Sequence, residues 1–211
     1  MAAIKECDGN KAPGPDGFNL ICIQKGWRIM KADIIKFMAD FHENGRLVKG
    51  LNCSFVTLIP KKENPTIIQD FRPTSLINSA CKILSKVLAC RLKMVLLSTI
   101  SPTQSAFLSG RNILGGLLVA NEVVDWWKRS KRSGLIIKLD FEKAYDIVNW
   151  SFLFDMLEKF GFGKKWVEWM RTCLVSARVS ILVNGSSSEE VSSKRIEAKG
   201  SNLTILVQYC S

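Results

Sequence analysis

The sequence predicts an α+β layer fold. Long segments with apolar residues at helical spacing alternate with short, isolated runs of β-branched residues, and no internal repeat is present. The chain has 211 residues, 47% of them hydrophobic, which suffices for one substantial core or two small ones.

The elements follow in order. Asn10–Phe18, "NKAPGPDGF", concentrates Pro and Gly and must be a turn or irregular loop. Met30, Ile34, Met38 and Phe41 then recur at helical spacing, and Asn44-Gly45 offers a stop where positive φ is tolerated. "CSFVTLIP", Cys53–Pro60, is short, β-branched and closed by proline, as a strand is. In the next stretch Pro65 and Pro73 forbid a long helix. From Asn78, a stripe of Ile83, Val87, Leu88, Leu92, Val95 and Leu96 predicts a long amphipathic helix, with Lys82, Lys86 and Lys93 on its other side. Leu117, Ala120, Val124 and Trp127 suggest a further helix that ends in the basic run Lys128–Arg132. Leu135–Leu139 reads as a buried strand leading to Asp140, with helices expected near Ser151–Phe160 and Lys164–Leu174. "RVSILVNGSSSEEV" reads as a strand, an Asn184-Gly185 turn and a second strand.

Charge and cysteine usage narrow the function classes. Thirty Lys plus Arg against nineteen Asp plus Glu give a formal net charge of +11, which favours an anionic partner. Seven cysteines with no C-x-x-C pair, beside a single His, support neither a disulfide framework nor a zinc site. The sequence shows no secretory leader and no apolar run that would span a bilayer. The expected protein is soluble and intracellular, without contact with a membrane; nucleus and cytoplasm are not separated by these observations, nor is an oligomeric state indicated.

Two readings of Asp140 stand at this level. A carboxylate after an apolar strand can cap the next helix, or it can present an oxygen ligand to Mg2+, the geometry that polymerising enzymes use. Tyr145 and Asp146 follow on the same segment, so an aromatic ring is available to the same place. Lys61 and Lys62 read as solvated charges at a strand end. Trp166, Trp169 and Met170 sit at helical spacing and read first as core rather than as a base-stacking platform.

The blocks "NKAPGPDGF", "LIPKK", "DFRPTSLINSACKILSKVLACRL", "SPTQSAFLSGRNI", "KLDFEKAYDIVNW" and "GFGKKWVEWMRTC" with "VSILVNGS" occur in an order and spacing that resembles the reverse transcriptase of non-LTR (LINE-type) retrotransposons, especially those of plants. The resemblance implies the fingers and part of the palm of a right-handed polymerase. Residues 1–133 would be fingers-like with the start of the palm, and 134–191 a partial palm with the first catalytic aspartate. By the same resemblance, Asp140 would bind Mg2+ together with the carbonyl of Phe141. Tyr145 would stack beneath the incoming sugar and exclude a 2′-hydroxyl, while Arg72 and Lys61 would grip the triphosphate; an arginine fork suits phosphate oxygens. The implied partners are an RNA template, a DNA primer and deoxynucleoside triphosphates.

The sequence departs from that family where "RGLRQGDPLSP" and an Ala-Asp-Asp turn are expected, and near Gly115, where the family usually has an aspartate. Codons chosen for Leu203–Val207, read one base later, give Ser-Pro-Phe-Leu-Phe, which resembles the family's continuation. The tail 192–211 is therefore expected to follow a shifted frame. Two function classes follow: a reverse transcriptase represented by a truncated, inactive remnant, or a non-catalytic basic fragment that binds RNA or DNA. A basic structural protein without a nucleic-acid role is a third, weaker reading.

Overall fold

Gly26 divides what would otherwise be one continuous helix. In this computed structural model, which describes residues 2–106, 108, 110–131, 135, 137, 139 and 148–192, the chain opens with α1 (Ala2–Lys5), α2 (Leu20–Lys25) and α3 (Trp27–Asn44). The Gly26 N–H closes α2 on the carbonyl of Cys22 at 2.8 Å, and α3 restarts immediately. Asn19 caps α2 through its side chain, which accepts from the Cys22 N–H. Gly45, left-handed at φ 61°, ends α3 where the Asn44-Gly45 pair predicts a stop. Ile4, Leu20 and Ile23 bury against Ile83, and Trp27, Met30 and Ile34 pack on that cluster.

By chain contacts the molecule forms two compact units, one of Met1–Val87 with Lys143–Ser211 and one of Leu88–Glu142. The first holds the sheet. β1 (Cys53–Pro60) pairs antiparallel with β2 (Phe71–Ile77) and parallel with β3 (Arg178–Val183). The short β4 (Ser186–Ser187) and β5 (Val191–Ser192) both pair with β3, at opposite ends of it. Asn184 and Gly185, both at positive φ, make the hairpin turn that the sequence predicts. Ser188 interrupts the ladder: its N–H donates to the Ile181 carbonyl at 2.9 Å, and its hydroxyl accepts from the Ile181 N–H at 2.9 Å.

β1 has the predicted bounds, whereas β2 is a strand in a region that the sequence excludes only from being a long helix. Pro73 is tolerated there because β2 is the rim of the sheet, and a rim strand can do without one N–H.

α6 (Trp150–Lys159) and α7 (Lys164–Val175) supply much of the remaining core, burying Trp150, Phe154 and Leu157 on one and Val167, Trp169, Met170 and Leu174 on the other. The Trp169 ring lies 5.0 Å from His42 and 6.1 Å from Phe41, centroid to centroid, so it serves as core. Thr172 ties α7 to the end of α3 by donating to the Gly45 carbonyl at 2.7 Å.

Buried polar groups hold these parts in register. α4 (Ser79–Thr99) begins where β2 ends, and its first N–H meets the Asp16 carboxylate at 2.6 Å; the Ser79 hydroxyl donates to the same oxygen at 2.6 Å. Asn78 accepts from the Asp16 N–H at 2.9 Å and donates to the Leu51 carbonyl at 2.8 Å. Asn52 donates to the Cys173 carbonyl at 2.7 Å and to the Ser176 hydroxyl at 2.9 Å. Lys82 donates to the Ala12 carbonyl at 2.9 Å; burial holds its ammonium below the usual lysine range, against the opposing pull of Asp16. Burial also pushes the Cys81 and Cys173 thiols up to about 12, as expected of reduced core cysteines.

The second unit contains the end of α4, a turn region and α5 (Ile113–Ser130). Arg111 fixes the turn: its guanidinium donates to the carbonyls of Leu97, Ile100, Ser101 and Gln104, gathering acceptors left at the end of α4. α5 forms as predicted, capped by Asn112, but none of its described side chains is buried: Leu117 is exposed, and Val124 and Trp127 are half-buried. The buried strand expected at Leu135–Leu139 is not seen at its described residues. Leu135, Ile137 and Leu139 belong to no regular element and are 79%, 69% and 77% exposed. An apolar run becomes a strand only where a neighbour completes its ladder, and no described strand pairs with this one.

The loop Gly14–Gly17 yields a test. A Cβ on Gly14 would lie 2.3 Å from the Ile77 carbonyl carbon and oxygen, so backbone must move; one on Gly17 (φ 72°) would meet nothing within 4 Å. Gly14→Ala is expected to cost about 3 kcal/mol by overpacking, and Gly17→Ala about 1 kcal/mol from the left-handed backbone alone. Urea unfolding of both variants checks the order.

Candidate functional site

The hairpin of β1 and β2 carries the predicted phosphate-gripping residues. Its register places Ile59 opposite Arg72 and Pro60 opposite Phe71. One residue further, the Lys61 N–H donates to the Asp70 carbonyl at 2.8 Å, which extends the ladder past the end of β1. Side chains alternate along a strand, so Lys61, Ile59 and Arg72 share one face, with Lys61 and Arg72 as diagonal neighbours. Both cations are exposed.

The connecting loop is held from inside by Asp70, which closes a 3₁₀ turn at Ile68–Asp70. One carboxylate oxygen accepts from the N–H groups of Thr66 and Ile67 at 2.9 and 3.2 Å. The other pairs with the Lys62 ammonium at 2.9 Å. Lys61, by contrast, donates its ammonium to the Gln69 carbonyl at 2.9 Å, a neutral acceptor that leaves its charge uncompensated by that bond. The two neighbouring lysines are thus treated differently. The Lys62 ammonium, followed by the Thr66 N–H, holds the Asp70 carboxyl below the usual carboxylate range.

The root of the hairpin is as constrained as its tip. Ile77 and Ser54 are buried opposite each other, and Asn78 and Ser79 follow directly into the contacts with Asp16. Around the tip, Leu58, Ile59, Ile67 and Ile68 are 38%, 47%, 56% and 71% exposed, so the cations stand on an apolar surface.

Asp140, Phe141 and Tyr145 lie outside the described residues. Among the described residues, no group of three or more His, Cys, Asp or Glu side chains is arranged to hold a metal ion. Lys61 and Arg72 emerge from the sequence; Asp70 does not. Its available signal is an aspartate just before a strand, facing two lysines across a proline-containing loop.

Residues 59–203 match the family model described as reverse transcriptase (RNA-dependent DNA polymerase). A stretch of 184 residues, 87% of the chain and 14% of the relative, is 30% identical to the Transposon TX1 uncharacterized 149 kDa protein of Xenopus laevis. Another relative is the Retrovirus-related Pol polyprotein from type-2 retrotransposable element R2DM of Drosophila melanogaster, 27% identical over 183 residues, 86% of the chain and 17% of the relative. The chain thus spans well under a quarter of the length of either.

The depressed Asp70 carboxyl has a definite pH signature. A carboxylate favoured in the folded chain contributes stability that is present above its ordinary value of 3.8 and is lost as pH falls through the lower folded value. The Thr66 and Ile67 amide resonances are expected to titrate together with a midpoint below 3.8, and Asp70→Asn should abolish that titration; an NMR pH series checks both.

Proposed function

Because the chain belongs to the reverse transcriptase (RNA-dependent DNA polymerase) family, in its non-LTR retrotransposon branch, we propose that it is the nucleotide- and template-binding part of an RNA-directed DNA polymerase. The observation that carries this reading is the exposed pair Lys61 and Arg72 on one face of a rigidly closed hairpin, within the matched segment.

Arg72 would engage triphosphate oxygens through its fork, and Lys61 would add a compact charge beside it. Residues 1–133 would provide the fingers with the start of the palm, and 134–191 a partial palm, followed by the divergent tail 192–211. Tyr145 would lie beneath the sugar and select deoxyribose. The family implies a divalent metal, and Asp140 with the carbonyl of Phe141 would hold it as Mg2+; that ion stabilises charge on the transferring phosphate. RNA template, DNA primer and deoxynucleoside triphosphates are the partners in this reading. Among the described residues, no helix is long and apolar enough to cross a membrane.

The 211 residues contain no Ala-Asp-Asp sequence, so Asp140 supplies one side of a two-metal clamp. By itself this polypeptide would bind nucleic acid without extending a primer.

Two measurements test the proposal. Affinity for an RNA–DNA hybrid, read by fluorescence anisotropy, is expected to fall at least about tenfold between about 50 and about 200 mM salt; a flat dependence would remove the nucleic-acid reading. The 211-residue polypeptide is expected to give no Mg2+-dependent extension of an RNA-templated primer. Extension that Asp140→Asn abolishes would show that it is no inactive remnant.

A further inference from the structure

We propose that Asp70 is a positioning residue for the triphosphate grip: it braces the loop between the two gripping cations and withdraws Lys62 from the phosphates. This rests on the assignment of Lys61 and Arg72 to the triphosphate and adds a residue that contacts no substrate.

The geometry separates the two tasks by oxygen. Oδ2 takes the adjacent N–H groups of Thr66 and Ile67, which closes the loop, while the Asp70 carbonyl holds the Lys61 N–H in the ladder. Oδ1 takes the Lys62 ammonium at 2.9 Å. Asp70, two residues before Arg72, therefore fixes the backbone at Lys61 and at Thr66-Ile67 on the far side of the loop. Carboxylate acceptors suit such bracing, since a charged acceptor shared by two N–H donors is stronger than a neutral one. The acid is costly in one respect, because a negative charge close to a triphosphate repels it. Pairing with Lys62 cancels most of that repulsion and leaves Lys61 and Arg72 as the cations bonded to no carboxylate among the described side-chain contacts of the hairpin.

Charge and positioning predict opposite signs for one substitution. Asp70→Asn removes a negative charge and releases Lys62, so electrostatics alone would tighten triphosphate binding. Positioning requires it to weaken. Binding of dTTP to the 211-residue chain, measured by calorimetry, is expected to weaken about tenfold in Asp70→Asn, the scale of losing hydrogen bonds to a charged acceptor. Asp70→Glu should recover part of the loss, and affinity for an RNA–DNA hybrid should change less than about twofold in both variants, since the charge that binds the hybrid is spread over the chain.

Tighter or unchanged dTTP binding by Asp70→Asn, with Arg72→Ala still weakening it, overturns the role of Asp70 and leaves the grip intact. Unchanged binding by both Arg72→Ala and Lys61→Ala overturns the grip itself. An equal loss of dTTP and hybrid binding in Asp70→Asn and Asp70→Glu would mean general unfolding of the hairpin rather than positioning, and also counts against the proposal.

Discussion

The contact between the Asp16 carboxylate and the first N–H of α4 joins parts of the chain that are far apart in sequence. Asp16 closes the N-terminal loop, Ser79 starts the longest helix, and Asn78 between them ends β2. A helix N-terminus has donors without partners and a favourable field for a negative charge, so the loop is fixed by the helix as much as the helix is capped by the loop. From Asn78 the chain of buried bonds passes to Leu51, and its neighbour Asn52 reaches α7 at Cys173 and Ser176. Asparagine suits both points: the Asn78 amide donates and accepts at once, and the Asn52 amide nitrogen uses both of its N–H donors. Gly14 is part of the same constraint, since any side chain there would occupy the Ile77 backbone. The hairpin that bears Lys61 and Arg72 is rooted at this junction.

Much of this was legible in the sequence, for local physical reasons. β1, the stop of α3 at Gly45, α6, α7 and the Asn184-Gly185 turn depend on periodicity and turn chemistry within a few residues. β2 was not legible because Pro73 excludes a long helix without marking a strand, and only the sheet order shows that a strand lies there on the rim. The apolar stretch at Leu135–Leu139 carries the pattern of a buried strand, but pattern cannot supply the neighbour that burial requires. Motif resemblance named Lys61 and Arg72; only the register shows that they share a face. Asp70 carries no periodic or motif signal because its value lies in loop closure, and Asp16 carries none because its partner is more than sixty residues away.

The chemistry of the first unit is correspondingly concentrated at its surface. Its Cys81 and Cys173 thiols are held protonated by their surroundings, and the half-buried Lys82 is committed to the Ala12 carbonyl. What remains available to an anion is the set of exposed lysines and arginines; the ion pairs that hold some of them, as Asp70 holds Lys62, are few and mostly solvent-facing among the described residues.

The two rims of the sheet bear on the company this chain keeps with itself. Sheet rims expose unpaired N–H and C=O groups that recruit a strand from a second molecule. On one rim, Pro73 removes a donor from the middle of β2. On the other, β4 and β5 are each two residues long, separated by residues 188–190, of which Ser188 has its hydroxyl in the place of a backbone acceptor. Neither rim presents an unbroken row of hydrogen-bonding groups. The first unit can therefore expose Leu58, Ile59 and Ile67 beside the sheet without offering a template for fibrous stacking.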